Sequence, residues 1–142
     1  MRFIELMPVM GIDLSASPLV SVSEMKQRLE PLGKLEPYHT SAGNGPAKYF
    51  RLPQASGTIG FITPVTEHFC FNCNRLRLTA DGNLRPCLLS DEAIDLKQAL
   101  RSGASSAELK GLIEEAIARK PREHHLADGC TPQGHSFSQV GG

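Results

Sequence analysis

Tryptophan is absent from this 142-residue chain, and with two Tyr and six Phe the aromatic residues make up only 6% of it. That is too little for a platform on which nucleic acid bases would stack. No charge of one sign dominates either: 15 Lys and Arg balance 15 Asp and Glu, so the formal net charge is zero. A surface built to hold a nucleic acid backbone or an anionic membrane is thereby disfavoured, although local basic patches remain available. Apolar runs extend only a handful of residues, far short of the roughly 18 that a transmembrane helix needs. Met1–Pro8 carries Glu5 and has no cationic stretch followed by a continuous apolar run, so it does not read as a secretory signal. These absences point to the cytoplasm, where thiols stay reduced. The four Cys then suggest metal binding or catalysis before they suggest disulfides.

What is present is ordinary globular material, 40% hydrophobic and 21% charged, of a length that suits one domain. Met1–Met7 reads as a short, mostly apolar strand ended by Pro8 and Gly11. Ser21 and Glu24 form an S-x-x-E capping box, and Val22, Met25, Leu29 and Leu32 follow on one face of a helix that Pro31 and Gly33 end. Leu35–Tyr38, Lys48–Leu52 and Thr58–Thr63 are strand candidates. Arg75–Thr79 alternates charge and leucine with the period of a half-buried strand, and Asp81-Gly82 is a hairpin turn returning along Asn83–Cys87. The last third reads as helical. Asp91–Leu100 carries a weak pattern, whereas Ser105 and Glu108 open a helix with a stripe of Leu109, Leu112, Ile113, Ala116 and Ile117. Arg119 and Lys120 suit that helix's negative end, and Pro121 stops it. Beyond Glu123 a polar tail runs to Gly141-Gly142.

Cys70-Phe-Asn-Cys73 is a C-x2-C pair, and Cys87 follows after thirteen intervening residues. The pair can turn both thiols toward one centre, and the Asp81-Gly82 hairpin folds the chain back so that Cys87 reaches the same place. Three readings of this spacing stand open. The thiols are simply buried; or they hold a structural zinc, with His68 or Cys130 as fourth ligand; or they hold an iron–sulfur cluster with one iron left open to a substrate. Cys130, set among Gly, Thr and Pro, reads as a free thiol. Arg75 and Arg77, two apart on the expected strand, present planar forks of donors suited to carboxylate, phosphate or a base edge.

The run FITPVTEHFCFNCNRLRLTADGNLRPCL (Phe61–Leu88) resembles the carboxy-terminal cluster motif of the GTP 3',8-cyclases, the radical-SAM enzymes that open molybdenum cofactor biosynthesis. Arg2–Pro8, Ile94–Gly103 and the terminal Gly141-Gly142 are similar to the same family, so the resemblance covers essentially the whole chain. It implies an α+β fold: the closing strands and helix of an incomplete α/β barrel over residues 1–60, then a small antiparallel cluster-bearing sheet with helices over 61–128, then a tail over 129–142. It implies that Cys70, Cys73 and Cys87 ligate a second [4Fe–4S] cluster, that Arg75, Leu76 and Arg77 contact GTP, and that Arg2 lies toward the triphosphate. It places Met7 against S-adenosylmethionine and has Gly141 and Gly142 support cyclisation.

In that family a 5'-deoxyadenosyl radical takes hydrogen from the GTP ribose, and attack on guanine C8 gives (8S)-3',8-cyclo-7,8-dihydroguanosine 5'-triphosphate. The family's C-x3-C-x2-C motif, which holds the SAM-cleaving cluster, does not occur in this sequence. The expectation is therefore of a carboxy-terminal part, inactive alone. No earlier strand is present to pair with Met1–Met7, so the chain is expected to bind an amino-terminal radical-SAM half or another copy of itself, burying Phe3, Ile4 and Leu6.

Overall fold

The computed structural model describes residues 1–9, 12, 19–39, 45–126 and 130–134. They fall into two compact units, one of Met1–Met7 with Asp13–Phe69 and the other of Pro8–Ile12 with Cys70–Gly142. Both mix strands and helices, so the chain is α+β.

The first unit holds β1 (Arg2–Ile4), α1 (Val22–Leu29, continued by a 3-10 turn over Glu30–Leu32), β2 (Glu36–Pro37), β3 (Lys48–Arg51) and β4 (Ile59–Ile62). Their sheet runs β1-β4-β3-β2. β1 lies parallel to β4, with Phe3 opposite Phe61, and the other pairs are antiparallel. The strand read from Met1–Met7 thus finds its partner in the later strand β4, and β1 forms an edge of the sheet.

Phe61 is the centre of this unit's packing, at 1% exposure. Phe3 stacks on it at 5.6 Å between ring centroids and Phe50 meets it edge-on at 5.6 Å. Lys26 of α1 lies 4.6 Å above the Phe50 ring, so its cation sits on an aromatic face while its stem covers the sheet. Alternation along β1 and the residues after it sends Phe3 and Glu5 inward, and leaves Ile4 and Leu6 exposed. Within this chain Phe3 is half-buried, while Ile4 and Leu6 are left open.

Glu5 is the unusual member of the core, a carboxylate at 1% exposure. Its Oε1 accepts from the Val22 N–H at 3.1 Å, the first amide of α1, and from the Thr66 hydroxyl. Its Oε2 accepts from the Val65 and Thr66 N–H groups at 3.1 and 3.0 Å. One side chain thus ties the end of β1 to the start of α1 and to the turn after β4. Ser21 caps α1 as the sequence predicts, accepting from the Glu24 N–H at 3.2 Å, while the Glu24 carboxylate pairs with Arg28 one turn on.

The second unit holds β5 (Arg77–Leu78), β6 (Asn83–Arg85), β7 (Ile94–Asp95), α2 (Leu96–Arg101) and α3 (Ser106–Ala118). The three strands form an antiparallel sheet in the order β5-β6-β7. Leu84, Ile94 and Ala116 are its buried core, with Leu76, Leu96 and Leu112 packed against them.

Gly82 turns the β5–β6 hairpin at φ +88°, and a Cβ there would lie 2.5 Å from the Lys97 Cβ. The same turn offers its carbonyl oxygen to the N–H groups of Leu96 and Lys97, which fixes where α2 begins. Both demands select glycine. Ser105 and Glu108 make the complete capping box at α3, and the Ser105 N–H holds the Glu108 carboxyl below its usual range.

Three sequence expectations are corrected in this unit. The helix read over Asp91–Leu100 starts only at Leu96, because Ile94–Asp95 pairs with β6 and Asp95 caps the helix instead, accepting from the Gln98 N–H at 2.8 Å. β5 spans Arg77–Leu78, so Arg75 lies ahead of the strand rather than on a shared face with Arg77. The five-residue stripe of α3 is only partly used. Short strands cover the seam of Leu112 and Ala116, whereas Ile113 and Ile117 remain exposed. No helix among the described residues is long and apolar enough to cross a membrane.

Candidate functional site

The C-x2-C pair sits on a single 3-10 turn, Cys70–Asn72, closed by the Cys73 N–H donating to the Cys70 carbonyl at 3.0 Å. Cys87 follows Pro86 at the end of the returning limb of the hairpin. All three are free, half-buried thiols. Burial pushes the Cys87 thiol above its ordinary pKa. Cys70 and Cys73 add to that rise, while the Leu89 N–H, donating to the Cys87 Sγ at 3.4 Å, and the Lys120 ammonium oppose it. Cys70 and Cys73 thus lie near enough to Cys87 to act on its thiol.

Among the described residues, no three His, Cys, Asp or Glu side chains are drawn together tightly enough to hold a metal ion. A metal would bind these cysteines as thiolates, releasing their protons as it binds. In donor chemistry the set fits a thiophilic centre: three sulfurs, a backbone amide on one of them, and a fixed ammonium nearby. His68 is exposed, in the segment that ends the first unit. Cys130 is exposed in the tail, its N–H donating to the His125 carbonyl at 3.1 Å.

Lys120 was not singled out by its position in the sequence except as a charge for the helix end. Its ammonium does something else. It donates to the Arg75 carbonyl at 2.8 Å and to the Pro86 carbonyl at 2.7 Å. Arg75 stands two residues after Cys73 and Pro86 one before Cys87, so one cation clamps both cysteine-bearing limbs. Arg119 pairs with Glu115 rather than serving the helix end alone.

Charge-assisted bonds of this kind contribute about 1.5–3 kcal/mol each. Lys120→Met is expected to destabilise the second unit by about 2–4 kcal/mol, after water replaces part of what is lost. Urea unfolding read by circular dichroism measures this, and a loss below about 0.5 kcal/mol would show that the clamp is idle.

Arg77 stands directly opposite Arg85 across the β5–β6 pair. Directly opposed side chains of one charge repel. Arg85 is 8% exposed, gives one bond to the Ser90 carbonyl at 3.2 Å, and has a buried Nε without a partner. Leu76 turns its side chain into the unit's core, so its backbone is what it can present to a ligand. In the first unit, Arg2 on β1 donates from Nε to the Tyr49 hydroxyl at 3.0 Å, and Met7 is half-buried beyond the strand. Gly141 and Gly142 lie outside the described residues.

Similar proteins carry this same stretch. The chain is 49% identical over 141 residues to a GTP 3',8-cyclase of Moorella thermoacetica, covering 99% of this chain and 43% of that one. It is 50% identical over 143 aligned positions to a GTP 3',8-cyclase of Pelotomaculum thermopropionicum, with 99% and 44% covered. A third, from Thermodesulfovibrio yellowstonii, is 50% identical over 122 residues, 85% of this chain and 38% of that one. The chain therefore spans less than half the length of these curated relatives. The model of the family Molybdenum Cofactor Synthesis C matches residues 1–126, taking in Cys70, Cys73, Cys87, Arg75, Arg77 and Lys120, and the chain belongs to that family.

Proposed function

We propose that this chain is the substrate-holding, carboxy-terminal part of a GTP 3',8-cyclase, acting in molybdenum cofactor synthesis in the cytoplasm. The observation that supports the reading is one ammonium, Lys120, bridging the two limbs that carry three free thiols. Arg75 and Arg77 stand two and four residues after Cys73, and Arg85 opposes Arg77. The planar donor forks of Arg75 and Arg77 suit the phosphates or base edge of a nucleotide triphosphate. The matched family and the relatives' name, GTP 3',8-cyclase, support the choice of GTP.

Cys70, Cys73 and Cys87 would hold a [4Fe–4S] cluster. When bound, that group supplies an open iron to which a purine can coordinate. The chain's own residues do the rest of the holding. Arg75 and Arg77 bind and orient the nucleotide, the backbone at Leu76 lines it, and Lys120 keeps the cysteine limbs in register while offsetting thiolate charge. Arg2 serves the triphosphate, Met7 borders S-adenosylmethionine, and Gly141 and Gly142 support the cyclisation to (8S)-3',8-cyclo-7,8-dihydroguanosine 5'-triphosphate.

SAM cleavage needs the C-x3-C-x2-C cluster, so catalysis requires an amino-terminal radical-SAM half. The parallel β1–β4 pair supports reading residues 1–60 as the close of an α/β barrel. An amino-terminal half, or another copy of the chain, would cover the outer edge of β1 with Ile4 and Leu6.

GTP binding tests the proposal. Arg75→Ala and Arg77→Ala are each expected to weaken GTP affinity roughly ten- to a hundred-fold, the loss of one charge-assisted contact, without loss of bound iron. Calorimetric titration of GTP into anaerobically reconstituted protein gives the answer. Unchanged affinity in both variants would make these arginines a solvated face.

A further inference from the structure

The loop after Cys87 does more than return the chain to β7. Asp91, four residues beyond that cysteine, reaches across to the start of the tail. Its carboxylate accepts from the Gln133 N–H at 3.1 and 3.0 Å, one bond to each oxygen, and from the Gly134 N–H at 2.8 Å through Oδ1. Two consecutive amides from more than forty residues away thus converge on one carboxylate, the geometry by which successive backbone N–H groups capture an anion.

Gly134 is fitted to this contact. A Cβ there would stand 3.0 Å from the Asp91 Oδ1, so the carboxylate would have to give, and in ordinary contact at 3.7 Å with an Arg85 terminal nitrogen. Pro132 is buried beside it and, with Cys130 and Thr131, borders a cavity of about 230 Å³ lined also by Ser90, His124 and His125. Apolar packing holds one residue of the root. The polar attachments are the Cys130 N–H on the His125 carbonyl and, further along, the Gln133 and Gly134 amides on Asp91.

We propose that Asp91 is a positioning residue that fastens the root of the terminal segment, the one bearing Gly141 and Gly142, to the loop following Cys87. Gly142 is the eighth residue after Gly134. Fully extended, that stretch spans at most about 26–29 Å, so the fixed root sets the radius within which the two glycines can act. The role given to those glycines rests on the function proposed above; the anchor itself does not.

Hydrogen exchange on the full chain separates the two. Asp91→Leu keeps the bulk and removes both acceptors, and is expected to speed exchange of the Gln133 and Gly134 amides about tenfold or more, with α3 and β6 unchanged. Asp91→Asn keeps one acceptor oxygen and is expected to restore most of the protection. Gly134→Ala, with Asp91 intact, is expected to loosen the same two amides by displacement. Unchanged protection in Asp91→Leu would overturn the proposal. Equal loss in Asp91→Leu and Asp91→Asn would also overturn it, by reducing the residue to packing. If Asp91→Leu does not fold, Asp91→Asn and Gly134→Ala decide: protection as in the parent in Gly134→Ala, or lost entirely in Asp91→Asn, refutes the anchor. Iron content in the same samples reports on the functional reading and is expected to stay at the parent level.

Discussion

Glu5→Ala is expected to unfold the first unit or leave it barely folded. The substitution strips the acceptor from three backbone N–H groups and a hydroxyl around a site at 1% exposure. Each buried donor left without a partner costs about 1–3 kcal/mol, so three backbone groups amount to about 3–6 kcal/mol once some water enters the cavity. That rivals the 5–15 kcal/mol by which a whole domain is typically stable. Glu5→Gln separates the missing acceptor from the missing volume. Its amide oxygen can replace Oε2 toward Val65 and Thr66, its NH2 then faces the Val22 N–H, and the Thr66 hydroxyl can turn to accept. One orphaned amide predicts a loss of about 1–3 kcal/mol. Urea unfolding of both variants, with exchange of the Val22, Val65 and Thr66 amides, distinguishes the two. Equal stability of parent and Glu5→Ala would show that this carboxylate holds nothing together.

Cluster assembly should be all-or-none in the cysteines. Cys70→Ala, Cys73→Ala and Cys87→Ala are each expected to abolish iron incorporation on anaerobic reconstitution, because three thiolates leave no protein ligand to spare. Cys130→Ala is expected to incorporate iron like the parent, its sulfur being exposed in the tail. Full iron in the Cys87 variant would dismiss the three-ligand arrangement. Iron lost from the Cys130 variant would add a ligand that the proposal does not contain.

Much of the fold was legible because it rests on local signals. Asp81-Gly82 announces a hairpin through a dipeptide suited to positive φ, and the turn forms there with Gly82 at +88°. Ser105 and Glu108 announce a helix start three residues apart, and the reciprocal box is present. The resemblance to the family was carried by the cysteine run with its adjoining arginines, and the family match covers it.

What escaped the sequence depends on distant partners. Glu5 reads as a polar interruption in an apolar strand; its worth lies in amides 17 to 61 residues away. A hint existed, since alternation puts Glu5 on the same face as Phe3, and an acidic residue on an inward face must be given donors. Lys120 reads as a charge for a helix end, yet the carbonyls it clamps belong to the hairpin 34 and 45 residues earlier. Ile94–Asp95 was absorbed into a helix because two residues carry no periodicity, and only pairing with β6 makes them a strand. Arg75 and Arg77 alternate like strand neighbours, but the Lys120 bond to the Arg75 carbonyl belongs to the stretch before β5 begins.

The central claim is that Cys70, Cys73 and Cys87 hold an iron–sulfur centre beside a GTP-binding hairpin. Metal and sulfide analysis of the anaerobically reconstituted parent chain tests it most directly. The account predicts brown protein with about four iron and about four acid-labile sulfide per chain, the composition of one [4Fe–4S] cluster. Colourless protein with one zinc and no sulfide would contradict it, and would make the three thiols the core of a structural, non-enzymatic binding module.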